Sequence, residues 1–219
     1  MKDIKLAIFD LDGTLIDSTS IWGEIDQIFF QRRGKEVPDE YMKEIAHIGL
    51  TAAAKVTKEK YFPNEKEEDI LKEWNDLSLE AYRYHIPLKD NVKDLLDLLA
   101  SKGITLALAT ANSEELYKPC IERLDIKKYF SYIIDVNSCS KGKDSPEIFD
   151  KVVNHFKVTK EETIIFEDSL TAIKTGKENG YKVIAIYDKC STKDIEYTKS
   201  ISYLFVNNYR ELINKLKEK

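Results

Sequence analysis

The sequence predicts an α/β protein, a doubly wound and mostly parallel sheet with a helical domain inserted after its first strand. Three observations carry that prediction. Short β-type runs recur, and each is followed by a helical stretch. The runs are apolar on both faces, as strands between two helix layers must be. One long interval after the first run has helical periodicity only, which fits an inserted domain better than a single connection.

The runs are Leu6-Ala7-Ile8-Phe9, Thr105–Ala109, Tyr132-Ile133-Ile134, Thr163-Ile164-Ile165-Phe166 and Val183-Ile184-Ala185-Ile186. Tyr203-Leu204-Phe205-Val206 follows, ahead of a C-terminal helix. Between the second-domain interval and the second run, Val92, Leu95, Leu96, Leu98 and Leu99 mark one helix face, with Gly103 as its stop. Alternating units of this kind close with right-handed crossovers.

The exceptional interval covers about 90 residues, far beyond an ordinary connection. Residues 18–33 place Ile21, Trp22, Ile25, Ile28 and Phe29 at helical spacing, and Gly34 ends the pattern. Residues 65–84 do the same with Ile70, Leu71, Trp74, Leu77 and Ala81. Pro38 and Pro63 punctuate the interval, and Pro87 marks the return to the sheet. The expected division is residues 1–16 with 86–219 for the sheet domain and 17–85 for the helical one. Trp22 and Trp74 are expected in the helical core. Tyr82, Tyr84, Tyr129, Tyr132 and Tyr203 are expected in the core or at its rim.

Composition narrows the class. Of 219 residues, 42% are hydrophobic, enough for a continuous core and too many for disorder. Lys and Arg number 34 against 39 Asp and Glu, a net charge of −5 with the signs interspersed, so no basic stripe points to nucleic acid. Cys120, Cys139 and Cys190 are scattered and form no C-x-x-C, as expected of reduced thiols. No apolar run reaches the roughly 18 residues of a membrane span, and the N-terminus has no signal-peptide pattern. The expectation is a soluble, cytoplasmic protein without a membrane or nucleic-acid partner.

In open α/β sheets ligands bind at the carboxyl ends of the strands, so the residues after each run are the candidates. The first run leads into Asp10-Leu11-Asp12-Gly13-Thr14. Side chains at i and i+2 of a strand project to the same side, which predicts that Asp10 and Asp12 face one site. Two such carboxylates repel unless one is protonated or a cation lies between them. A polar turn capped by Asp17 and Ser18 is the structural alternative, but the whole string in its strand-to-loop context points to chemistry.

The second run ends in Thr110-Ala111-Asn112-Ser113, where side chains could hydrogen-bond a phosphate or cap a helix. Lys143 precedes Ser145-Pro146, a helix start. Glu167 and Asp168 follow the fourth run, where they could complement a helix dipole. With Asp10 and Asp12 they make three or four acids converging on one point, a set of oxygen ligands that suits Mg²⁺ better than zinc. His47, His85 and His155 share no spacing that suggests a site.

These pieces, in this order, resemble the motifs of the haloacid dehalogenase superfamily of aspartate-nucleophile hydrolases. Phe9-Asp10-Leu11-Asp12-Gly13-Thr14-Leu15 matches its first motif, Thr110 its second, Lys143 three residues before Pro146 its third, and Glu167-Asp168 its fourth. The resemblance covers residues 5 to about 187. It implies a Rossmann-like core, with the helical insertion as the cap of the phosphoglucomutase-like and phosphoglycolate phosphatase-like branch. It further implies that Asp10 is the nucleophile and Asp12 the general acid and base. Mg²⁺ would be held by the Asp10 carboxylate, the Asp12 backbone carbonyl and Asp168, with Glu167 in support. Thr110, Asn112 and Lys143 would bind the phosphoryl group, with Lys141 as the alternative lysine.

The same resemblance implies a phosphatase acting on a small phosphorylated metabolite, and a monomer. Asp12 supplies the proton an ester oxygen needs and a halide does not. β-Phosphoglucomutases of this family often carry a His in the first cap helix and a Lys after the second motif. Here those regions read Ser18-Thr19-Ser20-Ile21-Trp22 and Ser113. A phosphosugar mutase is therefore the second reading, and a non-catalytic phosphate-binding module the third, though a module of that kind would be expected to have lost an acid. Ile48-Gly49-Leu50-Thr51 resembles the cap loop that faces the site, while Lys55 reads as a surface lysine.

Overall fold

The computed structural model describes residues 3–45, 50–190, 192 and 194–217. A six-stranded sheet of β1 (Leu6–Phe9), β2 (Thr105–Thr110), β3 (Tyr132–Asp135), β4 (Thr163–Glu167), β5 (Lys182–Ile186) and β6 (Leu204–Val206) has the order β3-β2-β1-β4-β5-β6. Every neighbouring pair is parallel. The chain builds outward from β1 through β2 to β3, then returns to the other side of β1 with β4. The strand order thus reverses between β1 and β4, which is where a doubly wound sheet opens a crevice for a ligand.

The helices of this domain are α5 (Val92–Ser101), α6 (Glu114–Arg123), α7 (Glu147–Phe156), α8 (Leu170–Glu178), α9 (Ile195–Ile201) and α10 (Tyr209–Lys217). Leu6, Ile8, Ala107, Ala109, Ile165, Val183 and Ala185 pack against Ile148, Phe149, Val152, Ala172 and Ile173 of α7 and α8. Their strand neighbours Ala7, Phe9, Leu106, Leu108, Ile164 and Phe166 are fully buried as well, so both faces of the central strands are covered. Phe9 and Phe166, paired in register, stack with ring centroids 4.2 Å apart. The stacked pair immediately precedes Asp10 and Glu167 on the two strands.

Contacts divide the chain into two compact units, Met1–Thr19 with Ile86–Lys219 and Ser20–His85. The second holds α1 (Ile21–Gln31), α2 (Tyr41–Ile45), α3 (Leu50–Tyr61) and α4 (Glu67–Glu80), with a π-helical turn at Ala81–His85. The helix expected over 18–33 is therefore shorter at both ends, and that over 65–84 changes winding at Ala81. Phe29, Phe30, Tyr41, Phe62 and Trp74 form its aromatic core, Phe29 meeting Phe62 at 5.3 Å and Trp74 at 5.6 Å. Arg33 lies 3.5 Å over the Phe29 ring and binds Glu65 and Glu73, closing the edge of that core.

Two expectations about large side chains are corrected. Trp22 is 40% exposed rather than part of the core, and Tyr84 and Tyr203 are about three-fifths exposed. Helical spacing assigns a side chain to a stripe without showing whether another element covers that end of it. Ile48 and Gly49 of the expected loop, and His47, lie outside the described residues. No helix of the described residues is long and apolar enough to cross a membrane.

Asp26 is an acid inside the helical unit, 5% exposed, accepting a long hydrogen bond from Tyr41 Oη at 3.4 Å. Tyr41 in turn pairs with Thr57 Oγ1 at 2.9 Å. Burial pushes the Asp26 carboxyl up to about 7, and the Tyr41 bond offsets only part of that rise. Because the folded value exceeds the ordinary 3.8, the folded state holds more protons across that interval, and stability falls as pH rises from about 4 to about 7. Asp26→Asn removes the charge and is expected to raise unfolding free energy by roughly 2–4 kcal/mol at pH 8, with the gain vanishing near pH 4. Urea unfolding of the two proteins at both pH values checks this, and an equal gain at both would contradict the burial account.

Candidate active site

Strand β1 ends at Phe9, and Asp10 extends its pairing by one residue, its N–H donating to the Phe166 carbonyl at 3.0 Å. The chain then doubles back: the Leu15 and Ile16 amides both return to the Leu11 carbonyl, and the Gly13 amide donates to Ile16 O. Gly13 has φ +74, a conformation that an L side chain adopts only under strain. A Cβ there would fall on the Asp168 carboxylate and come within 2.9 Å of Thr19 Cγ2. The turn needs glycine both for its backbone and for the acid packed against it.

Strand β4 runs one residue further than its apolar pattern indicated, and Glu167 is its last residue. Asp168 follows, then Ser169, whose hydroxyl accepts from the Ala172 amide at the start of α8 and donates to Glu167 Oε1 at 2.9 Å. The carboxylates of Asp10, Glu167 and Asp168 thus meet at the switch point, with one oxygen of each lying within 4.8 Å of the others, and all three residues are buried. Thr14 Oγ1 orients Asp168 from the first loop by donating to Oδ1 at 2.9 Å.

Lys143 enters this cluster from the segment before α7. Its ammonium donates to Asp10 Oδ1 and lies 3.6 Å from Glu167 Oε2. Lys141, the alternative lysine, is exposed. Burial disfavours the charge on Lys143, but Asp10 and Glu167 outweigh it and hold the ammonium above its ordinary range. Glu167 is held well above the usual carboxylate range, first by burial and then by the Asp10 charge, which Lys143 only partly counters. One lysine does not neutralise three acids.

The donor set fits a hard divalent cation. It is all oxygen, it comes from two adjacent strand ends, and Glu167 Oε2 is buried without a hydrogen-bond partner. The oxygens of Asp10, Glu167 and Asp168 could hold such an ion. The Asp12 carboxylate is not in this trio. Ser18 Oγ donates to Asp12 Oδ1 at 2.7 Å, and Asn112 Nδ2 donates to Oδ2 at 2.6 Å. Asn112, expected as a phosphate contact, is therefore placed on the second acid of the first motif. Thr110 is fully buried at the end of β2, where its hydroxyl accepts from the Asn112 amide at 3.1 Å.

Three features escaped the sequence reading. Ser18, read only as a helix cap, holds Asp12 from a distance of six residues. Tyr209 of α10 is buried, donates to Thr14 O at 2.9 Å and has its hydroxyl pushed far up by burial and by Asp168, Asp10 and Glu167. Asp188, after β5, binds Lys89 at 2.7 Å and accepts from Thr19 Oγ1 at 3.1 Å, tying together the two segments that leave and re-enter the sheet domain. Acids after a strand end were a usable signal for Asp188; Tyr209 carries none, because its role depends on where the last helix packs.

Comparison with known proteins places this geometry. A phosphorylated carbohydrates phosphatase from Thermotoga maritima is 25% identical over 83% of this chain and 84% of its own length. A phosphoglycolate phosphatase from Aquifex aeolicus is 28% identical over 82% and 83%. In fold, the chain is similar to the crystal structure of a candidate β-phosphoglucomutase from Thermotoga maritima, with TM-score 0.87, 23% identity and coverage of 98% and 99%. It is also similar to CbbY from Rhodobacter sphaeroides in complex with phosphate, with TM-score 0.76, 19% identity and coverage of 95% and 96%. The family model for haloacid dehalogenase-like hydrolases matches residues 7–186, from the second residue of β1 to the end of β5 with all of the acid cluster, and the chain belongs to that family.

Proposed function

We propose that the protein is a Mg²⁺-dependent phosphatase that hydrolyses a small phosphorylated metabolite through an aspartyl-phosphate on Asp10. The observation that carries this reading is the buried trio Asp10, Glu167 and Asp168 beside Lys143, with Asp12 held separately by Ser18 and Asn112. The names of the two sequence relatives, both phosphatases acting on phosphorylated small molecules, support it.

In the proposed reaction an Asp10 oxygen attacks phosphorus, the ester P–O bond breaks, and its electron pair passes to the leaving oxygen. Asp12 gives that oxygen its proton, then takes a proton from the water that attacks the phosphoryl-enzyme, so that phosphate leaves and the Asp10 carboxylate is restored. Thr110 and Lys143 bind the phosphoryl oxygens, Lys143 turning from Asp10 to the charge that develops there. When bound by Asp10, Asp168, Glu167 and the Asp12 carbonyl, Mg²⁺ supplies positive charge that offsets repulsion between nucleophile and phosphate. Substrate choice is assigned to the helical unit, Ser20–His85, as a cap.

Phosphate release from p-nitrophenyl phosphate tests the reading. Mg²⁺ is expected to be required, chelator to abolish release, and Asp10→Asn to lower turnover by at least about 10³-fold with the fold intact. Normal turnover in Asp10→Asn would overturn the nucleophile. Gly13→Ala is expected to weaken Mg²⁺ binding measured by calorimetry and to lower stability by roughly 2–4 kcal/mol, through strain at positive φ and displacement of Asp168. Wild-type affinity in that variant would remove Asp168 from the ion's site.

A further inference from the structure

We propose that Asn112, together with Ser18, is a positioning residue for the Asp12 carboxylate and not a contact to the phosphoryl group. The inference rests on the acid and base role assigned above to Asp12. Asp12 Oδ1 accepts a hydrogen bond from Ser18 Oγ at 2.7 Å and Oδ2 one from Asn112 Nδ2 at 2.6 Å. The two donors arrive on different loops, one after β1 and one after β2, so the carboxylate is braced from both sides. Neither donor is loose: Ser18 is 2% exposed, and the Asn112 backbone amide is itself bonded to the Thr110 hydroxyl at 3.1 Å.

The chemistry explains why such bracing matters. Asp10 is oriented by its place at the strand end, by the Phe166 carbonyl and by Lys143. Asp12 sits two residues further on, in a loop, and the torsions of its own side chain would otherwise be free to swing. A proton donor must lie within hydrogen-bond reach of the leaving oxygen, and displacements of about 1 Å can lower rates on the order of 10²-fold. Donors on both oxygens fix the plane of the carboxylate. The Asn112 amide also ties Asp12 to the end of β2, where Thr110 lies, so the group that handles the proton and a group assigned to the phosphoryl oxygens are linked through one side chain.

A positioning role and a phosphate-binding role predict different kinetics. Nitrophenolate departs without a proton, whereas phenolate leaves much less readily without one, and the two aryl phosphates are otherwise alike. Loss of acid positioning therefore penalises phenyl phosphate more, while loss of a phosphate contact penalises both equally. The parameter to compare is kcat/KM, which reports steps up to formation of the phosphoryl-enzyme and excludes its hydrolysis.

The experiment measures kcat/KM with Mg²⁺ for both esters in wild type, Asn112→Ala, Ser18→Ala, Asp12→Asn and the Asp12→Asn/Asn112→Ala double variant. Asn112→Ala and Ser18→Ala are expected to lose about tenfold more on phenyl phosphate than on p-nitrophenyl phosphate. In the Asp12→Asn background, Asn112→Ala is expected to add less than about twofold, because its effect acts through the missing carboxylate. Equal losses on the two esters, carried undiminished into the Asp12→Asn background, would overturn the proposal and make Asn112 a phosphoryl ligand. If Asp12→Asn itself penalised both esters equally, the acid role of Asp12 would fall, and the positioning role with it.

Discussion

Asp10, Glu167 and Asp168 bring three carboxylate oxygens within 4.8 Å of one another among buried residues. Unit charges about 4 Å apart repel by roughly 4 kcal/mol even at an effective dielectric of about 20. The surrounding architecture is organised around that repulsion. Lys143 is drawn in against Asp10 and Glu167, Glu167 is pushed toward its protonated form, and Thr14 and Ser169 each hold one acid by a hydrogen bond. An arrangement that crowds buried negative charge wastes stability unless the charge is used. In the proposed reaction a bound cation would use it.

The fold makes this crowding geometrically simple. Parallel β1 and β4 are adjacent in the sheet and 154 residues separate Thr14 from Asp168 in sequence, yet their strand ends are level because Phe9 pairs with Phe166. Asp10 and Glu167 are the residues that follow this pair on their strands. Gly13 then lets the first loop pass close to Asp168, which a Cβ would block. Asp10 and Glu167 are thereby set by backbone register, and Asp12, beyond the reach of that register, is held by Ser18 and Asn112.

Much of this was legible from residue order. Strands buried on both faces leave continuous apolar runs, and acids directly after two such runs mark the strand ends where Asp10, Glu167 and Asp168 meet. Contacts that depend on chain closure were not legible. Asn112 reaches Asp12 across 100 residues, and Tyr209 reaches the first loop across 195, and no local pattern encodes either distance. Helix periodicity likewise identified α1 and α4 but misplaced Trp22, because a stripe on a helix does not reveal which part of it another element covers. The end of β4 was misjudged by one residue, since a glutamate at a strand terminus looks like the start of a loop until its role in the cluster is seen.

If the crowded carboxylates serve a covalent step at Asp10, that step can be trapped. The enzyme would be mixed with p-nitrophenyl phosphate and Mg²⁺, quenched in acid within its first turnovers, and reduced with borohydride, which converts an aspartyl-phosphate to homoserine. Peptide mass spectrometry is predicted to find homoserine at position 10 and at no other aspartate. Turnover without any reducible acyl-phosphate, or with the label on Asp12 or Asp168, would contradict the account.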